Sequence, residues 1–315
     1  MKKNIIRLLF VSAIILFLSC DESFNPKGEF QEGYTLYCVL DLDQEVQKVY
    51  LFENYMPEGL DAESYNKNRT VRNAEVKIND GIRDFIFTDT TEFIESLGYS
   101  VSYYQFKNFQ PANNLLHITA LIPGKKTLTG NTNIYTRKFP FSTRSRRDLE
   151  YETLNNYEVD FVGNIPFEFL PALFINYGIV QNNDTVYFKK EIPSSYFSEG
   201  GTLNSSFPDL EERTNFTYKV TVIETAMREL ANEHPGKNIV IKDMTLSIVT
   251  VSPPLNLYYK ANKTNRDGFT IKLLEPNISN IENGSGIFAS KKITSINVKF
   301  AQSWGSLFGQ LGFRF

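Results

Sequence analysis

The side chains with the most versatile chemistry are few in this 315-residue sequence: two cysteines, Cys20 and Cys38, and two histidines, His117 and His234. The histidines lie far apart, and no HxH, HExxH or CxxC spacing supplies the grouped ligands that a zinc site requires. There is also no GxSxG nucleophile elbow and no glycine-rich phosphate-binding loop. We therefore predict no catalytic residue, no metal site and no cofactor, and we do not expect an enzyme.

Cys20 is the candidate for covalent modification, because it stands directly after an apolar segment. Cations at residues 2, 3 and 7 precede the apolar residues 8–18, and this run is shorter than the roughly 20 residues of a membrane-spanning helix. A positive start, a short apolar run and small residues at its end are typical of a secretory signal peptide, which we place at residues 1–19. An ordinary signal peptide with an incidental cysteine, or an uncleaved anchor, is the alternative.

The segment Phe17-Leu18-Ser19-Cys20 resembles a bacterial lipobox. This resemblance implies that the thiol of Cys20 takes up a diacylglycerol and that Cys20 becomes the mature N-terminus, held in the outer membrane by two or three acyl chains. Asp21 and Glu22 resemble the acidic export signals of surface-exposed Bacteroidota lipoproteins, although two acids in a tether are also simply solubilising. We expect a lipid-anchored protein that faces the cell exterior; the periplasmic leaflet is the alternative.

The composition favours β-strands and excludes one class of partner. The chain has 26 Phe and 17 Tyr, and 13 Pro and 18 Gly punctuate it at short intervals. Its net charge is -3, with both signs mixed along the sequence. Because no basic stripe exists that could follow a phosphate backbone, we expect no nucleic-acid partner.

After a flexible tether at residues 20–33, we predict an antiparallel β-sandwich over residues 34–142, of the Ig-like or carboxypeptidase-regulatory-like kind. Strand patterns recur there at roughly ten-residue spacing, and one of them, "AEVKIND", alternates apolar and polar residues. The turn Asn79-Asp80-Gly81 that follows it predicts a hairpin. Cys38 lies within another strand pattern and is expected to be a small buried core residue. Residues 56–72 are predicted to form a long surface loop.

Residues 143–303 predict a second β-rich domain with one or two short helices. The charged stretch 142–157 is expected to be a solvated linker or the start of a short helix. Strands are predicted at 157–163, 171–182, 185–192, 216–224, 238–252 and 268–275. The best helix signal covers residues 224–236 and ends at Pro-Gly. Alternatively, the helical signal lies in "PPLNLYYKAN", where two prolines could open a turn.

Residues 276–290, "PNISNIENGSGIFAS", resemble the "SNI-x-x-G-x-GIF" segment of a large family of Bacteroidota outer-membrane lipoproteins of unknown function. Residues 114–135 and the lipobox support this resemblance. Members of the family are often encoded beside SusC-type TonB-dependent receptors, so the resemblance implies location and a class of partner but no activity. The candidate contact-loop residues are Asn280, Gly284, Gly286, Ile287 and Phe288.

Two interpretations of this segment stay open. Its glycines permit positive φ and its asparagine can bond the local backbone, so it could be a structural loop that fastens strands together. The second interpretation is a contact loop for a partner barrel or a ligand.

Separately, Asp89-Thr90-Thr91 and Asp184-Thr185-Val186 resemble the Bacteroidota O-glycosylation sequon, which makes Thr90 and Thr185 candidate glycosylation sites.

The last twelve residues, 304–315, form an apolar tail. Leu307, Leu311, Phe313 and Phe315 follow a period of two, which resembles the last strand of an outer-membrane barrel. The tail could therefore dock on a barrel partner by edge pairing. Alternatively, it is a final sandwich strand or packs on the protein itself.

These features together predict a non-enzymatic, surface-exposed outer-membrane lipoprotein. We expect it to be an accessory subunit of an outer-membrane barrel complex, such as a TonB-dependent transporter or a barrel-assembly machine. Its partners would then be the membrane lipid, reached through Cys20, and an outer-membrane β-barrel protein. The alternative is a surface binding module that captures a nutrient such as a glycan or a peptide. A third hypothesis is a hydrolase whose catalytic residues are brought together only by the fold.

Overall fold

The computed structural model describes residues 30, 32–55, 68–95, 98–151, 155–163, 168–182, 184–210, 215–264 and 278–315. The chain is mainly β, with 55% of residues in strands and 14% in helices, which confirms the predicted fold class. None of the helices in the described ranges is long and apolar enough to cross a membrane.

The first half of the chain forms seven strands in the described residues. They are β1 (Tyr34–Asp41), β2 (Val46–Glu53), β3 (Glu75–Asn79), β4 (Asp84–Ile94), β5 (Tyr99–Lys107), β6 (Leu115–Leu121) and β7 (Leu128–Asn133). Strand β4 takes part in two layers, because its first residues pair with β3 while residues 88–94 pair with β5. One layer has the order β1-β2-β5-β4 and the other β4-β3-β6-β7. All these pairs are antiparallel, as predicted.

The core between the two layers follows from the alternation of apolar residues. In β1, Leu36, Cys38 and Leu40 point inward and are almost fully buried, while Tyr37 and Val39 between them are exposed. Cys38 is therefore the buried core residue that the sequence predicts, and burial raises the pKa of its thiol far above the ordinary value.

The second half of the chain adds ten strands and three α-helices in the described residues. The strands are β8 (Asn156–Asp160), β9 (Phe169–Gln181), β10 (Asp184–Ile192), β11 (Ser195–Glu199), β12 (Thr202–Ser206), β13 (Asn215–Lys219), β14 (Asn238–Val251), β15 (Ile281–Glu282), β16 (Ser285–Val298) and β17 (Phe313–Arg314). The helices are α1 (Val220–Glu233), α2 (Pro253–Thr264) and α3 (Gly305–Gln310), and short 3-10 turns cover Arg144–Arg146 and Gln302–Trp304.

A second core lies on one face of the sheet β10-β9-β14-β16. Helix α1 covers this face with an apolar stripe that includes Ile223, Ala226, Met227 and Leu230, all fully buried. The β8–β13 pair and the end of the chain complete the core. The described residues thus form two β-rich units, each defined by its core cluster, while the predicted boundaries at 34–142 and 143–303 stay a prediction.

The two units share one mixed sheet, whereas the predicted domain boundaries assign its strands to separate domains. Strand β16 pairs antiparallel with β14 of the second unit and parallel with β1 of the first. Ile281 and Phe288 belong to the first core although they lie more than 140 residues beyond its other strands. Sequence alternation identifies strands but not their partners, so this long-range parallel pairing escapes prediction.

Two local predictions are corrected by the structure. The predicted strand 216–224 ends at residue 219 and α1 begins at Val220, so both helical signals in the sequence correspond to helices. The stretch 142–157 contains a short helical turn but is not a solvated linker in its described part. Ser145 and Leu149 are fully buried, and Leu149 exchanges backbone hydrogen bonds with Lys299 and Ala301.

The predicted period-two strand of the tail is wrong over most of its length. Residues 305–310 form α3, and only Phe313 and Arg314 form a strand, which pairs parallel with the start of β14. Leu307 and Phe313 are buried in the second core, Leu311 packs against it, and Phe315 remains 58% exposed. The alternative, a tail packed on the protein itself, agrees with this arrangement.

Several predictions fall outside the described residues. They are the signal peptide, Cys20, Asp21, Glu22, most of the tether at 20–33, most of the loop at 56–72 and the strand at 268–275.

Candidate functional site

The candidate contact loop, residues 280–288, is fastened by the amide of Asn280. Its Oδ1 accepts the Phe288 N–H at 2.8 Å, while its Nδ2 donates to the Phe288 carbonyl at 2.7 Å and to the Asn131 carbonyl at 2.8 Å. One side chain thus joins β16 to β7. Because both N–H donors of the amide and one lone pair of its oxygen are used within the protein, the contacts of the Asn280 side chain are those of a structural residue.

The glycines of this loop allow strands to approach closely. Gly286 has φ +114°, and a Cβ there would overlap the carbonyl of Leu36 in β1. A Cβ on Gly284 would lie 2.6 Å from the carbonyl oxygen of Tyr34. Ile287 is buried beneath α2, and Phe288 is buried in the first core. The structure brings the five predicted residues together, and their contacts fit the interpretation as a structural loop.

The two candidate glycosylation sites lie within strands. Thr90 is half-buried in β4 and pairs with Tyr103 of β5. Thr185 is half-buried near the start of β10, with its methyl group over Gly178. The structure therefore places both on sheet faces rather than on loops, and it brings neither close to the contact loop.

Four aromatic rings form a contiguous cluster on the outer side of the first sandwich, here called the aromatic face: Tyr37, Tyr50, Phe52 and Tyr103. The Tyr37 ring is exposed, those of Tyr50 and Phe52 are half-buried, and that of Tyr103 is buried. Tyr37 and Tyr50 are directly opposite across β1 and β2. The ring of Phe52 lies 6.2 Å from that of Tyr37 and 6.3 Å from that of Tyr50, and the Tyr50 ring is 5.7 Å from that of Tyr103. Tyr37 is 42% exposed, and its neighbour Val39 is 37% exposed.

Charged groups border the aromatic face on one side. The Nζ of Lys48 lies 4.3 Å from the centroid of the Tyr103 ring and 3.4 Å from Oε2 of Glu92, which also accepts the Tyr103 hydroxyl at 3.1 Å. Partial burial opposes the ammonium form of Lys48, but Tyr50, Tyr103 and Glu92 outweigh it and raise the pKa of Lys48. Lys48 therefore remains a cation beside the rings.

An aromatic surface with a cation and a carboxylate at its border can bind a partner that offers apolar faces and polar edges. The sequence carries a signal for the aromatic face, although the predicted strands alone do not show it. In β1 and β2 both faces are apolar, since Tyr37 and Tyr50 alternate with core residues such as Leu36 and Leu51. A strand that is apolar on both faces is either covered on both sides or available for binding.

The described residues contain no group of three or more His, Cys, Asp and Glu side chains that could hold a metal ion. A cleft of about 420 Å³ lies at the start of α1, where Tyr151, Asn156, Lys219 and Glu224 form part of its lining. The N–H of Val220 is already bonded to a backbone carbonyl there, at 3.0 Å. The cleft is shallow, and it carries no recognisable catalytic arrangement.

No family model matches the sequence, and no curated protein matches it either. Among solved structures, the C-terminal globular domain of an oligosaccharyltransferase from Pyrococcus abyssi is similar, at 9% sequence identity and a TM-score of 0.20. The alignment covers 71% of this chain and 49% of that one, so the chain spans about half the length of that structure. A likeness this weak carries no argument about function.

Proposed function

We propose that the protein is a lipid-anchored, surface-exposed accessory subunit of an outer-membrane complex, and that the aromatic face contacts an outer-membrane β-barrel partner. The observation that carries this proposal is the position of the aromatic face on β1, the strand that follows the tether. Tyr37 is three residues from Tyr34, the first residue of β1, which is a distance of about 10 Å along a strand. The predicted tether 20–33 reaches at most about 50 Å when extended, so an acylated Cys20 would confine the aromatic face to a zone of about 60 Å from the membrane surface.

The anchor and the aromatic face support each other energetically. A lipid anchor confines the protein to the membrane surface and raises its effective concentration beside any membrane partner. The exposed ring of Tyr37, beside the half-buried rings of Tyr50 and Phe52, supplies the apolar contact that a weak interface needs, with Lys48 and Glu92 at its border. The tail offers a poorer docking site, because Leu307 and Phe313 are buried in the second core.

The test is an affinity purification of the tagged lipoprotein from gently solubilised outer membranes, followed by mass identification of the proteins bound. We expect a stoichiometric barrel protein with the unsubstituted chain, and its loss with Tyr37→Glu. Ile86→Glu is the matched control, since Ile86 is an exposed residue on the other layer of the sandwich. A chain that purifies alone, although Cys20 is acylated, would contradict the proposal.

A second candidate function, capture of a glycan or peptide, is favoured by the ring geometry. The Tyr50 and Phe52 rings are within 3° of parallel, and Lys48 lies beside them to meet hydroxyl or carboxylate groups. A sugar ring could stack its apolar face on such a surface. Titration calorimetry with oligosaccharides and peptides, in the absence of any barrel, tests this candidate. Binding that is lost in Tyr50→Ala would favour capture over the accessory role.

A further inference from the structure

The side of the sheet β10-β9-β14 that faces away from α1, here called the outer face, carries an exposed tyrosine. In β10, Lys190 points toward α1, where its Nζ lies 2.6 Å from Oε1 of Glu233. Because successive residues of a strand point to opposite faces, Tyr187 and Lys189 lie on the outer face. The Tyr187 side chain is 67% exposed there. A large aromatic ring at the rim of a sheet is accessible to a ligand.

Gly178 determines how the Tyr187 ring lies on the sheet. The two residues are directly opposite in β9 and β10. A Cβ on Gly178 would lie 3.4 Å from both Cδ1 and Cε1 of the ring, so the ring rests close over the glycine backbone. A ring supported in this way is already ordered, and stacking a ligand on it costs little conformational entropy.

A β-bulge in β14 places a cation and a carboxylate side by side on the outer face. The pairing of β14 with β9 shifts register between Ile241 and Asp243, which leaves Lys242 as the extra residue. The Nζ of Lys242 lies 5.8 Å from the centroid of the Tyr187 ring. In a regular strand Lys242 and Asp243 would point to opposite faces, whereas the bulge brings both to the side of Tyr187.

The carboxylate of Asp243 is held in place by Asn176, its neighbour across β9. The Nδ2 of Asn176 donates to Oδ1 of Asp243 and, at 2.7 Å, to Oγ1 of Thr245. The Oδ1 of Asn176 is buried and has no hydrogen-bond partner among the described residues, so the amide orients Asp243 at the expense of an unpaired acceptor. The Oδ2 of Asp243 has no partner in the described part of the chain and can accept a hydrogen bond from a ligand.

Three cations of the outer face have no ion-pair partner among the described residues: Lys189, Lys242 and Arg314. Arg314 belongs to β17, which pairs with the start of β14, and the residue before it is buried in the second core. The strands β10, β9, β14 and β17 carry two carboxylates on this face, Asp243 and Glu191. The cations are therefore in the majority here, although the whole chain has a net charge of -3.

We propose that the outer face binds an acidic saccharide of the uronic-acid class. The apolar C–H face of the sugar ring stacks on Tyr187, its carboxylate pairs with Lys242 or Lys189, and a hydroxyl group donates to Oδ2 of Asp243. An inorganic anion would use only the cations, and a neutral sugar would leave them unpaired. This site lies on the second unit, apart from the aromatic face, and does not rest on the proposed function.

Titration calorimetry of the full chain in mild detergent tests the proposal with two probes of equal length, an oligogalacturonate and a galactose oligomer. We expect the acidic oligomer to bind and the neutral one to bind at least about tenfold more weakly, because it offers no carboxylate to the lysines. Raising the salt concentration from about 50 to about 500 mM should weaken the acidic oligomer by screening. Equal affinity for the two oligomers, or binding of neither, would overturn the proposal.

Two substitutions locate the site. Tyr187→Ala and Lys242→Gln should each weaken the acidic oligomer about tenfold without changing the melting temperature, because both side chains are exposed. Tyr259→Ala and Lys126→Gln are the matched controls, since Tyr259 is 52% exposed on α2 and Lys126 is exposed in the first unit. If a control weakens binding as much, or if Tyr50→Ala on the aromatic face removes binding that Tyr187→Ala leaves intact, the proposed site is wrong.

Discussion

The loop at 280–288 and the edge strand β10 differ in where their polar groups find partners. In the loop, the Asn280 side chain makes three hydrogen bonds inside the protein, and the glycines let β16 touch β1. In β10, one row of backbone groups and three apolar side chains remain open among the described residues. A segment with distinctive residue spacing can thus be internal architecture, whereas an ordinary strand pattern can be the exposed surface.

The strongest test of this contrast is Gly286→Ala. Its Cβ would overlap the Leu36 backbone at φ +114°, so β1 and β16 could not keep their pairing. We expect a loss of more than about 4 kcal/mol in the free energy of unfolding, measured by denaturant titration.

The matched control is Gly124→Ala, because Gly124 has φ +73° but nothing within 4 Å of the added methyl group. It should lose only about 1 to 2 kcal/mol from backbone strain. Equal losses for the two variants would mean that the close approach of β1 and β16 contributes nothing.

The tail, residues 304–315, resembles the loop because its side chains pack inside the protein. The substitution Trp304→Ala tests this internal role. Trp304 is fully buried, packs against Phe300 and Phe308, and donates its Nε1–H to the Leu149 carbonyl at 3.1 Å. We expect a loss of about 4 kcal/mol. Phe315→Ala should cost less than about 1 kcal/mol, because its ring is mostly exposed. If Trp304→Ala left the free energy of unfolding unchanged, the tail would not be internal architecture and would again be a candidate docking element.

Asn280→Ala should have a smaller effect than either. It removes the three hydrogen bonds of the amide and leaves backbone groups of β7 and β16 without partners, at a cost of about 2 to 3 kcal/mol by thermal or chemical unfolding. The exposed Asn297 in β16 provides the control, and its alanine variant should stay within about 0.5 kcal/mol. If both variants behave alike, the loop is not fastened by Asn280.

The sequence was informative wherever local geometry decides the outcome. The alternation in β1, the turn after β3 and both helical signals correspond to observed elements, since each depends on neighbouring residues. The pairing of β1 with β16 and the burial of Leu149 depend on residues 150 or more positions away, and a single sequence does not encode those partners legibly. The aromatic face was missed for the same reason: the 42% exposure of Tyr37 depends on how strands far apart in the sequence pack around it.

The turn after β3 offers a pH-dependent comparison with the loop. The buried carboxylate of Asp80 accepts N–H groups of Ala112, Arg83 and Ile82, which hold the pKa of Asp80 below its ordinary value. A lowered pKa stabilises the fold above the unfolded pKa of about 4, and this contribution is lost as the pH falls through the folded value. Melting temperatures between pH 2 and 7 should therefore fall less steeply at the acidic end in Asp80→Asn. An unchanged acidic slope would remove Asp80 as the cause.

The smallest effect on stability is expected for Val186→Lys in β10. Val186 is 46% exposed on a strand at the edge of the sheet, so the substitution should change the free energy of unfolding by no more than about 0.5 kcal/mol. Denaturant titration of Val186→Lys beside Asn280→Ala measures how an exposed edge strand and a buried loop differ in their contribution to the fold. A loss as large as that of Asn280→Ala would show that the exposed side of β10 serves the fold as the loop does.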